Sequence, residues 1–273
     1  MAERLLAWGE RTYVMGIVNV TPDSFSGDGS TALEGAVATA RRHVDEGADA
    51  LDVGGESTRP GHVPVDAATE TARVLPVLRA LRERFPRVIL SIDTWKPAVA
   101  RAAVEAGADV LNCVRRAPDE LLEIAAEAGL GFVAMHNQET AQYEGDVVDA
   151  VVRVLEECGR RGVERGIPRE RMMLDPGIGF GKTAEQNLRV LRRLDRVVAL
   201  GFPTLLGASR KSTLGKLTGR TAGDLVAATA ATSTLAAAAG IDIVRVHDVA
   251  QTRDAVQVAD AIYRGWRPVG WTQ

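Results

Sequence analysis

Polar side chains of the kinds that do chemistry recur where apolar segments of this sequence end. The carboxylates Asp93 and Asp175 each close such a segment, and Asn112 closes another. In a confined space, these groups suit a planar heterocycle with adjacent N–H groups, because a carboxylate accepts two parallel hydrogen bonds from an amidine-like edge. The three residues therefore predict a pocket for a small, flat, polar ligand.

Cations and a hydroxyl form a second candidate group, which suits phosphate. Arg245 and His247 are two positions apart in one segment, so both side chains point to the same face of a strand. Thr58 and Arg59 lie in a loop after the second segment and add a hydroxyl and a further cation. Asn19 supplies an amide oxygen that would help to hold Mg²⁺ against a diphosphate.

The stretch ASRKST, residues 208 to 213, marks a turn from a strand into a helix. The first turn of a helix has free backbone N–H groups and a positive end, so it favours anions. Ser212 and its neighbouring amides are therefore predicted to bind a carboxylate or a phosphate, close to the side chain of Lys211. Asp248 ends the last strand-like segment and is followed three residues later by Gln251, which is the pattern of a helix cap.

The stretch LDPGIGFGKT, residues 174 to 183, resembles a nucleotide-binding loop at first sight. A phosphate-binding loop needs a glycine five residues before the Gly-Lys-Thr triplet, and Pro176 occupies that position. Its three glycines also follow a G-x-G-x-G pattern and not the dinucleotide fingerprint. We expect these glycines to let the backbone cross a crowded site, while Asp175 binds the ligand. Within this stretch, Lys182 looks like the catalytic lysine.

Eight strand-like segments position these groups. They cover residues 12 to 20, 48 to 55, 88 to 94, 108 to 114, 131 to 137, 171 to 177, 203 to 209 and 242 to 248. Helical patterns lie between them, and Gly47, Gly107 and Gly129 suit the left-handed position that ends a helix. Eight strand-helix units in this length predict an α/β fold, a single (β/α)₈ barrel over residues 1 to 273, with the substrate site at the C-terminal ends of the strands. A doubly wound open sheet is the alternative.

Two of the predicted loops differ in composition from the others. Residues 21 to 31 and 56 to 65 are rich in Gly, Pro and Ser, which is typical of mobile segments that cover a barrel mouth. Phe25 is an aromatic residue inside the first of these polar loops, and we expect it to contact a substrate.

The composition narrows the class of protein. The net charge of −3 comes from interspersed acids and bases, so we expect no nucleic-acid partner. The two cysteines, Cys113 and Cys158, are far apart, which favours reduced thiols in the cytoplasm over a zinc site. No apolar run is long enough for a membrane span, and the N-terminal residues lack the pattern of a signal peptide.

Six motifs carry a resemblance to a known family. In order, they are GIVNVTPDSFS, GGESTRPG, SIDT, LDPGIGFGK, ASRKS and VRVHDV. Together they resemble the dihydropteroate synthases, barrel enzymes of folate biosynthesis that sulfonamides inhibit, and the resemblance runs from about Tyr13 to Val249. It implies the transfer of a dihydropterin-methyl group from its diphosphate to p-aminobenzoate, releasing diphosphate and giving 7,8-dihydropteroate.

The resemblance also implies roles for individual residues. The pterin would be held by Asp93, Asn112, Asp175 and Lys211. The diphosphate would be held by Thr58, Arg245 and His247, with Asn19 on Mg²⁺. The p-aminobenzoate site and its loops would involve Phe25, Arg59, Pro60 and Ser212. The catalytic set would be Asp93, Lys211, Arg245 and His247. A homodimer is implied too: the alanine-rich helix near residues 224 to 239 would pack against a partner subunit, as late helices do in the family's dimers. Tight packing of this helix against the barrel is an equal alternative.

Two departures from the family pattern leave alternatives open. Cys113 follows Asn112 where the family usually has an aspartate, and Asn137 follows His136 where a methionine is common. By alternation, Cys113 points away from the face of Asn112, so its thiol replaces a supporting group and not a ligand. One alternative is a low-activity or non-catalytic pterin-binding paralogue. A less favoured one is an enzyme that transfers the methyl group of methyltetrahydrofolate to a corrinoid, since that reaction needs neither a diphosphate site nor a p-aminobenzoate site.

Overall fold

The computed structural model describes residues 6–20, 29–57 and 64–271, and within them strands and helices alternate along the chain. The strands are β1 Tyr13–Asn19, β2 Ala50–Gly54, β3 Ile89–Asp93, β4 Val110–Cys113, β5 Gly131–Met135, β6 Met172–Asp175, β7 Leu205–Leu206 and β8 Ile243–Val246. The helices are α1 Gly29–Asp45, α2 Ala67–Arg84, α3 Pro97–Glu105, α4 Asp119–Ala128, α5 Val147–Glu164, α6 Ala184–Arg192, α7 Leu194–Val198, α8 Ser212–Thr218, α9 Val226–Ala238 and α10 Val249–Tyr263.

The eight strands form one parallel sheet that closes on itself. The order is β6-β5-β4-β3-β2-β1-β8-β7, so strands that are neighbours in sequence are neighbours in space. A parallel bridge between Leu174 and Thr204 joins the two outer strands, and the Leu174 amide donates to the carbonyl of Pro203 at 2.9 Å. The predicted (β/α)₈ barrel is confirmed, and the open-sheet alternative is wrong because an open doubly wound sheet would change strand order.

Alternation along the strands separates an inner and an outer core. The side chains inside the barrel form a small apolar cluster: Tyr13, Met15, Ala50, Val110, Val133, Met173, Leu205 and Ile243. A much larger cluster, which includes Val53, Ile92 and Leu111, lies between the barrel and its helices. Counting in twos from the inner cluster leads up to Asp52, Asn112, Asp175 and Arg245. The same period that packs the barrel therefore directs these polar groups into it.

The ends of the elements follow local chemistry. Gly47, Gly107 and Gly129 have φ values of +90°, +90° and +65°, so the predicted left-handed stops are confirmed. The seventh strand is shorter than predicted and covers only Leu205–Leu206. Pro203 lacks an N–H to donate, which limits pairing at that end of the strand. Among the described residues, no helix is both long and apolar enough to cross a lipid bilayer.

Candidate active site

Asp52, in the middle of β2, is the centre of the polar network inside the barrel, and its side chain is fully buried. Its Oδ2 accepts hydrogen bonds from Arg245 Nε at 2.6 Å and from Asn112 Nδ2 at 3.0 Å. Its Oδ1 accepts one from Ser91 Oγ at 2.5 Å. Donors from β3, β4 and β8 therefore meet on one carboxylate, which fixes the orientation of the Asn112 amide and the Arg245 guanidinium.

Asp93 ends β3 beside this network. Its Oδ2 accepts from Arg245 Nη2 at 2.8 Å, so the guanidinium bridges Asp52 and Asp93. Its Oδ1 is buried and has no hydrogen-bond partner among the described residues. Burial raises the pKa of Asp93 to about 7, although Arg245 opposes the shift. The site therefore presents a buried acceptor oxygen that requires a donor from a ligand or water.

Asp175 ends β6 and provides the second buried carboxylate. Its Oδ1 accepts a hydrogen bond from the Gly177 amide at 2.7 Å. Burial raises its pKa, while the Gly177 amide and then Lys211 act against the shift. Lys211 follows β7, and its Nζ lies 4.1 Å from the centre of the Phe180 ring. Lys211 and Asp175 therefore belong to one electrostatic group.

The stretch from Gly177 to Thr183 is a tight turn, and its geometry agrees with the prediction that it is not a phosphate loop. Gly177, Gly179 and Gly181 have φ values of +66°, +84° and +56°. A Cβ on Gly177 would lie 1.9 Å from the carbonyl oxygen of His136, so only glycine fits this close approach. Thr183 caps α6 in a capping box with Gln186, and its hydroxyl is thereby committed to the helix.

The connection from β7 to α8 has a strained backbone at its centre. Arg210 adopts a φ of +56°, in the left-handed region that non-glycine residues seldom enter. Its guanidinium binds the carboxylate of Asp248 through two hydrogen bonds of 3.0 and 2.6 Å. Asp248 is the N-cap residue of α10, as predicted, but its carboxylate binds Arg210 and makes no cap hydrogen bond to the helix. Such strain is typical of functional sites.

The same connection orients His247. The Ser209 hydroxyl lies 3.0 Å from His247 Nδ1 and accepts the His247 backbone N–H at 3.2 Å. Lys211 is the residue before α8, and the helix begins at Ser212, as predicted. Lys211, Ser212 and His247 are thus held at the carboxyl ends of β7 and β8.

Asn19, the last residue of β1, pairs in register with Gly54, which pairs in turn with Asp93. A Cβ on Gly54 would lie 3.9 Å from Asn19 Oδ1 and 3.8 Å from Asp93 Oδ2, so these two oxygens flank the glycine. Among the described residues there is no cluster of three His, Cys, Asp or Glu side chains that would hold a metal by itself. This donor set fits a Mg²⁺ ion that takes most of its ligands from substrate phosphates and water.

Four of the predicted site residues lie outside the described ranges: Phe25, Thr58, Arg59 and Pro60. Two other polar residues at strand ends have partners of their own. Glu56 accepts hydrogen bonds from Lys96 Nζ at 2.5 Å and from the Val65 amide at 3.1 Å. His136 Nδ1 lies 2.9 Å from Lys182 Nζ, and burial lowers the pKa of the imidazole to about 3.

The sequence interpretation overlooked Asp52, Arg210 and Phe180. Asp52 is a charged residue in the middle of an otherwise apolar five-residue strand, and its even spacing from Ala50 is a signal that places it inside the barrel. Arg210 gives no signal in its residue type, since its role depends on a positive φ. Cys113 is fully buried in the outer core, as alternation predicts, and burial raises the pKa of its thiol to about 12, so the group remains unreactive.

A closed barrel with buried carboxylates, an arginine and a lysine at the carboxyl ends of its strands defines an enzyme class that acts on small polar molecules. Comparison with known proteins makes the class specific. Residues 15–247 match the family described as "Pterin binding enzyme". A dihydropteroate synthase of Clostridium beijerinckii is 40% identical over 94% of this chain and 96% of its own length.

Solved structures agree with this match. A Clostridium difficile dihydropteroate synthase, solved in the presence of pteroic acid, superposes with a TM-score of 0.92 at 42% identity, over 95% of this chain and 100% of that one. The Xanthomonas albilineans enzyme with 4-aminobenzoic acid has a TM-score of 0.88 at 45% identity, over 93% of this chain and 94% of that one.

The chain therefore belongs to the pterin-binding enzyme family, in which it falls among the dihydropteroate synthases. Its activity is that of a transferase in folate biosynthesis, which condenses a dihydropterin-methyl diphosphate with p-aminobenzoate to give 7,8-dihydropteroate and diphosphate. The family match confirms the resemblance inferred from the six motifs.

Proposed function

We propose that the pterin ring binds between Asp93 and Asp175, with Asn112 and Lys211 along its edge. The observation that carries this assignment is the buried Asp93 Oδ1, which has no partner among the described residues and requires a hydrogen-bond donor. The amidine-like edge of a pterin supplies such donors. Asp52 is not assigned to the ligand, because its two oxygens already accept three hydrogen bonds inside the barrel, including those that orient Asn112 and Arg245.

The diphosphate of the substrate is assigned to Thr58, Arg245 and His247. Two carboxylates hold the Arg245 guanidinium, and although burial acts to lower its pKa, Asp52 and Asp93 outweigh that effect and raise it. Arg245 therefore stays charged against the leaving group. Mg²⁺ would be held by Asn19 together with phosphate oxygens and water, and it would supply positive charge against the diphosphate.

The p-aminobenzoate carboxylate is assigned to Ser212 at the start of α8, with Phe25, Arg59 and Pro60 completing the site. Sulfonamides are arylamines of similar shape, so they should compete at the same place. Support comes from the position of Ser212, next in sequence to Lys211 and directly after the connection that the Arg210–Asp248 ion pair holds.

The proposed reaction separates positive and negative charge in its transition state. As the bond to diphosphate breaks, the methylene carbon becomes cationic and the leaving group gathers negative charge. Arg245 and His247 stabilise the diphosphate, while the carboxylates of Asp93 and Asp175 stabilise the pterin side. The amine attacks without a covalent enzyme intermediate, so much of the rate comes from orientation, and Lys211 serves by holding the pterin edge.

The proposal includes a homodimer, for which two helices offer an exposed apolar face. The helices α9 and α10 expose the apolar side chains Leu235, Val258, Ile262 and Tyr263. Apolar groups that are exposed on two adjacent helices favour a homodimer through this face.

The cysteines bear on the cellular location of the protein. Both are free and buried, which supports a reducing, cytoplasmic environment.

Calorimetry with the dihydropterin diphosphate tests the site. The variant Asp175→Asn should lose about tenfold or more in affinity while keeping the wild-type unfolding transition, since one charge-assisted hydrogen bond contributes about 1.5–3 kcal/mol. Wild-type affinity in this variant would reject the assignment. Diphosphate release that depends on both p-aminobenzoate and Mg²⁺ tests the remaining roles, and tight pterin binding without release would instead indicate a non-catalytic paralogue.

A further inference from the structure

Lysine is rare in this protein, and its positions are uneven. The sequence has 33 Lys and Arg residues in total, of which only Lys96, Lys182, Lys211 and Lys216 are lysines. The first three lie just after strands β3, β6 and β7 and are not exposed, whereas Lys216 is exposed on α8. Apart from Lys216 and the histidines, the basic residues elsewhere in the chain are arginines. At the three positions after the strands the chain has lysine, whose compact ammonium donates three hydrogen bonds from one nitrogen, unlike a planar guanidinium.

The ammonium of Lys182 uses all three of its donors. Its Nζ lies 2.9 Å from the carbonyl oxygen of Gly177, 3.1 Å from that of Phe180 and 2.9 Å from His136 Nδ1. Two of these acceptors belong to the turn between β6 and α6, and the third follows β5. Lys182 therefore ties the turn to itself and to the neighbouring strand, and none of its hydrogen bonds is left for the substrate.

The turn that Lys182 holds lies directly against Lys211. A Cβ on Gly179 would be 3.1 Å from Lys211 Cδ and 3.7 Å from its Nζ, so the lysine stem crosses the bare glycine backbone. The Lys211 ammonium then lies 4.1 Å from the centre of the Phe180 ring. Gly179 is held from the other side, since its amide donates to Asn187 Oδ1 at 2.9 Å.

We propose that Lys182 is a positioning residue for Lys211: it fixes residues 177 to 182 as the bed on which the Lys211 side chain lies. The importance of this bed for catalysis rests on the role proposed above for Lys211. Lys182 acts through Phe180 and Gly179, and it needs no contact with either substrate. An arginine at this position would not replace it, because three acceptors around one nitrogen do not match a planar fork.

The charges around Lys182 provide a test in the unmodified protein. His136, Asp175, Lys211 and Arg116 are the ionisable groups that surround it, and Tyr143 donates to the carbonyl of Gly181 in the same turn. Burial lowers the pKa of Lys182 to about 7, and Asp175 acts against the shift. Above that pH the amine loses its positive charge, so its hydrogen bonds to the carbonyls of Gly177 and Phe180 are no longer charge-assisted and the bed should loosen.

Lysine-selective NMR measures the proposed effect without an activity assay. With four lysines, a sample with ¹³C-labelled lysine gives four ε-methylene signals, which Lys→Met variants assign. Because Lys211 lies on the Phe180 ring, its ε protons should be shifted upfield of those of the exposed Lys216. Lys182→Met should move the Lys211 signal towards that of Phe180→Leu, in which the ring is absent, and Lys216→Met should leave it in place.

Two outcomes decide the proposal. A Lys211 signal that stays upfield in a folded Lys182→Met protein overturns it. If that variant fails to fold, titration of the wild type and of Asp93→Asn replaces it, because the pKa of Asp93 is also raised to about 7 and Asp93 is close enough to Lys211 to act on it. In both proteins the Lys211 ε signal should move towards its Phe180→Leu position with the midpoint of the Lys182 signal, and a Lys211 signal that stays upfield through this midpoint overturns the proposal equally.

Measurement of kcat tests whether the position of the Lys211 side chain matters for the reaction. A misplacement of about 1 Å lowers rates by about 100-fold, so Lys182→Met should reduce kcat by about 10- to 100-fold while Lys216→Met remains at the wild-type rate. If Lys211→Met keeps full activity, the role of Lys211 fails, but the NMR result on positioning still stands.

Discussion

The Nε of Arg245 donates a hydrogen bond to Oδ2 of Asp52 at 2.6 Å, and this contact joins β8 to β2 inside the barrel. Both side chains enter the interior by the alternation that packs the apolar layer beneath them. A carboxylate without any exposure persists only when charge and hydrogen bonds compensate its lost hydration. The pair therefore positions the cation that is proposed above to face the leaving group.

Replacement of Asp52 by asparagine tests this relationship. Asp52→Asn keeps the shape but leaves the largely buried guanidinium with one carboxylate, so the free energy of unfolding should fall by about 3 kcal/mol, the lower end of the range for breaking a buried ion pair. Diphosphate release should slow by about 100-fold, the size of effect seen when one preorganised charge-stabilising group is lost. Urea unfolding and an assay of diphosphate release measure the two effects.

Ser91→Ala is the matched control for Asp52→Asn. Ser91 touches the same carboxylate through one hydrogen bond, so its loss should cost about 1 kcal/mol and leave the rate close to wild type. Equal losses of rate in both variants would mean that Asp52 acts as general packing and not by holding Arg245.

Pterin affinity should depend on the ionisation of Asp93. Burial raises its pKa to about 7, so below that pH the carboxyl is protonated and Oδ1 and Oδ2 offer fewer acceptor sites. Binding of the phosphate-free ligand 6-hydroxymethyl-7,8-dihydropterin should strengthen as pH rises from 5.5 to 8 and then level off. Calorimetry across this range checks the direction. The variant Asp93→Asn, which does not ionise, should bind weakly and lose this dependence, and an unchanged profile in the variant contradicts the assignment.

The sequence was sufficient to predict the barrel and most of its polar mouth. Strand ends are local features, so Asp93, Asn112, Asp175 and Arg245 could be recognised from apolar segments and alternation. The partner of Arg245 could not be predicted in the same way, because Asp52 is 193 residues away and only the closed sheet brings them together.

Other features depend on conformations that residue types do not specify. The sequence indicates two lysines near the site, Lys182 and Lys211. Residue types do not show which of the two side chains binds its own turn and which one reaches the site. The structure has Lys182 bound to its own turn. For Asp248, the capping pattern is present, yet Arg210 takes the carboxylate through a strained backbone that no local pattern indicates.

Glycine at position 177 should be indispensable for steric reasons, and Gly145 provides the comparison. Both have positive φ values, +66° and +84°, so alanine at either site carries the backbone strain of roughly 1–2 kcal/mol. Only at Gly177 does the added Cβ meet another atom, at 1.9 Å from the His136 carbonyl oxygen, whereas nothing lies within 4 Å at Gly145.

Gly177→Ala should therefore destabilise the protein by clearly more than Gly145→Ala and should also disturb Asp175, which accepts the Gly177 amide. Urea unfolding compares the two variants, and pterin calorimetry shows whether the Asp175 carboxylate has moved. Equal stability losses would mean that the turn can shift away from His136 at little cost.

Lys96 should hold the base of the loop after β2 through a buried group of two carboxylates. Its Nζ binds Glu56 at 2.5 Å and also binds Glu70, which is 1% exposed. Glu56 in addition accepts the amide of Val65, so one carboxylate joins both sides of the segment between residues 57 and 64. Lys96→Met leaves both carboxylates without their cation and should lower the free energy of unfolding by about 3–5 kcal/mol.

The pH dependence and a second substitution make this last prediction specific. Burial acts to raise the pKa of Glu56, and Lys96 outweighs that effect and lowers it, so removal of Lys96 should raise it. Stability that depends on a raised carboxyl pKa is present at low pH and lost as pH rises, so the deficit should be larger at pH 8 than at pH 5. In the double variant Lys96→Met, Glu70→Gln, the loss should be smaller than the sum of the single losses, as coupling between contacting groups requires. Additive losses that do not vary with pH would show that Lys96 contributes through its apolar stem alone.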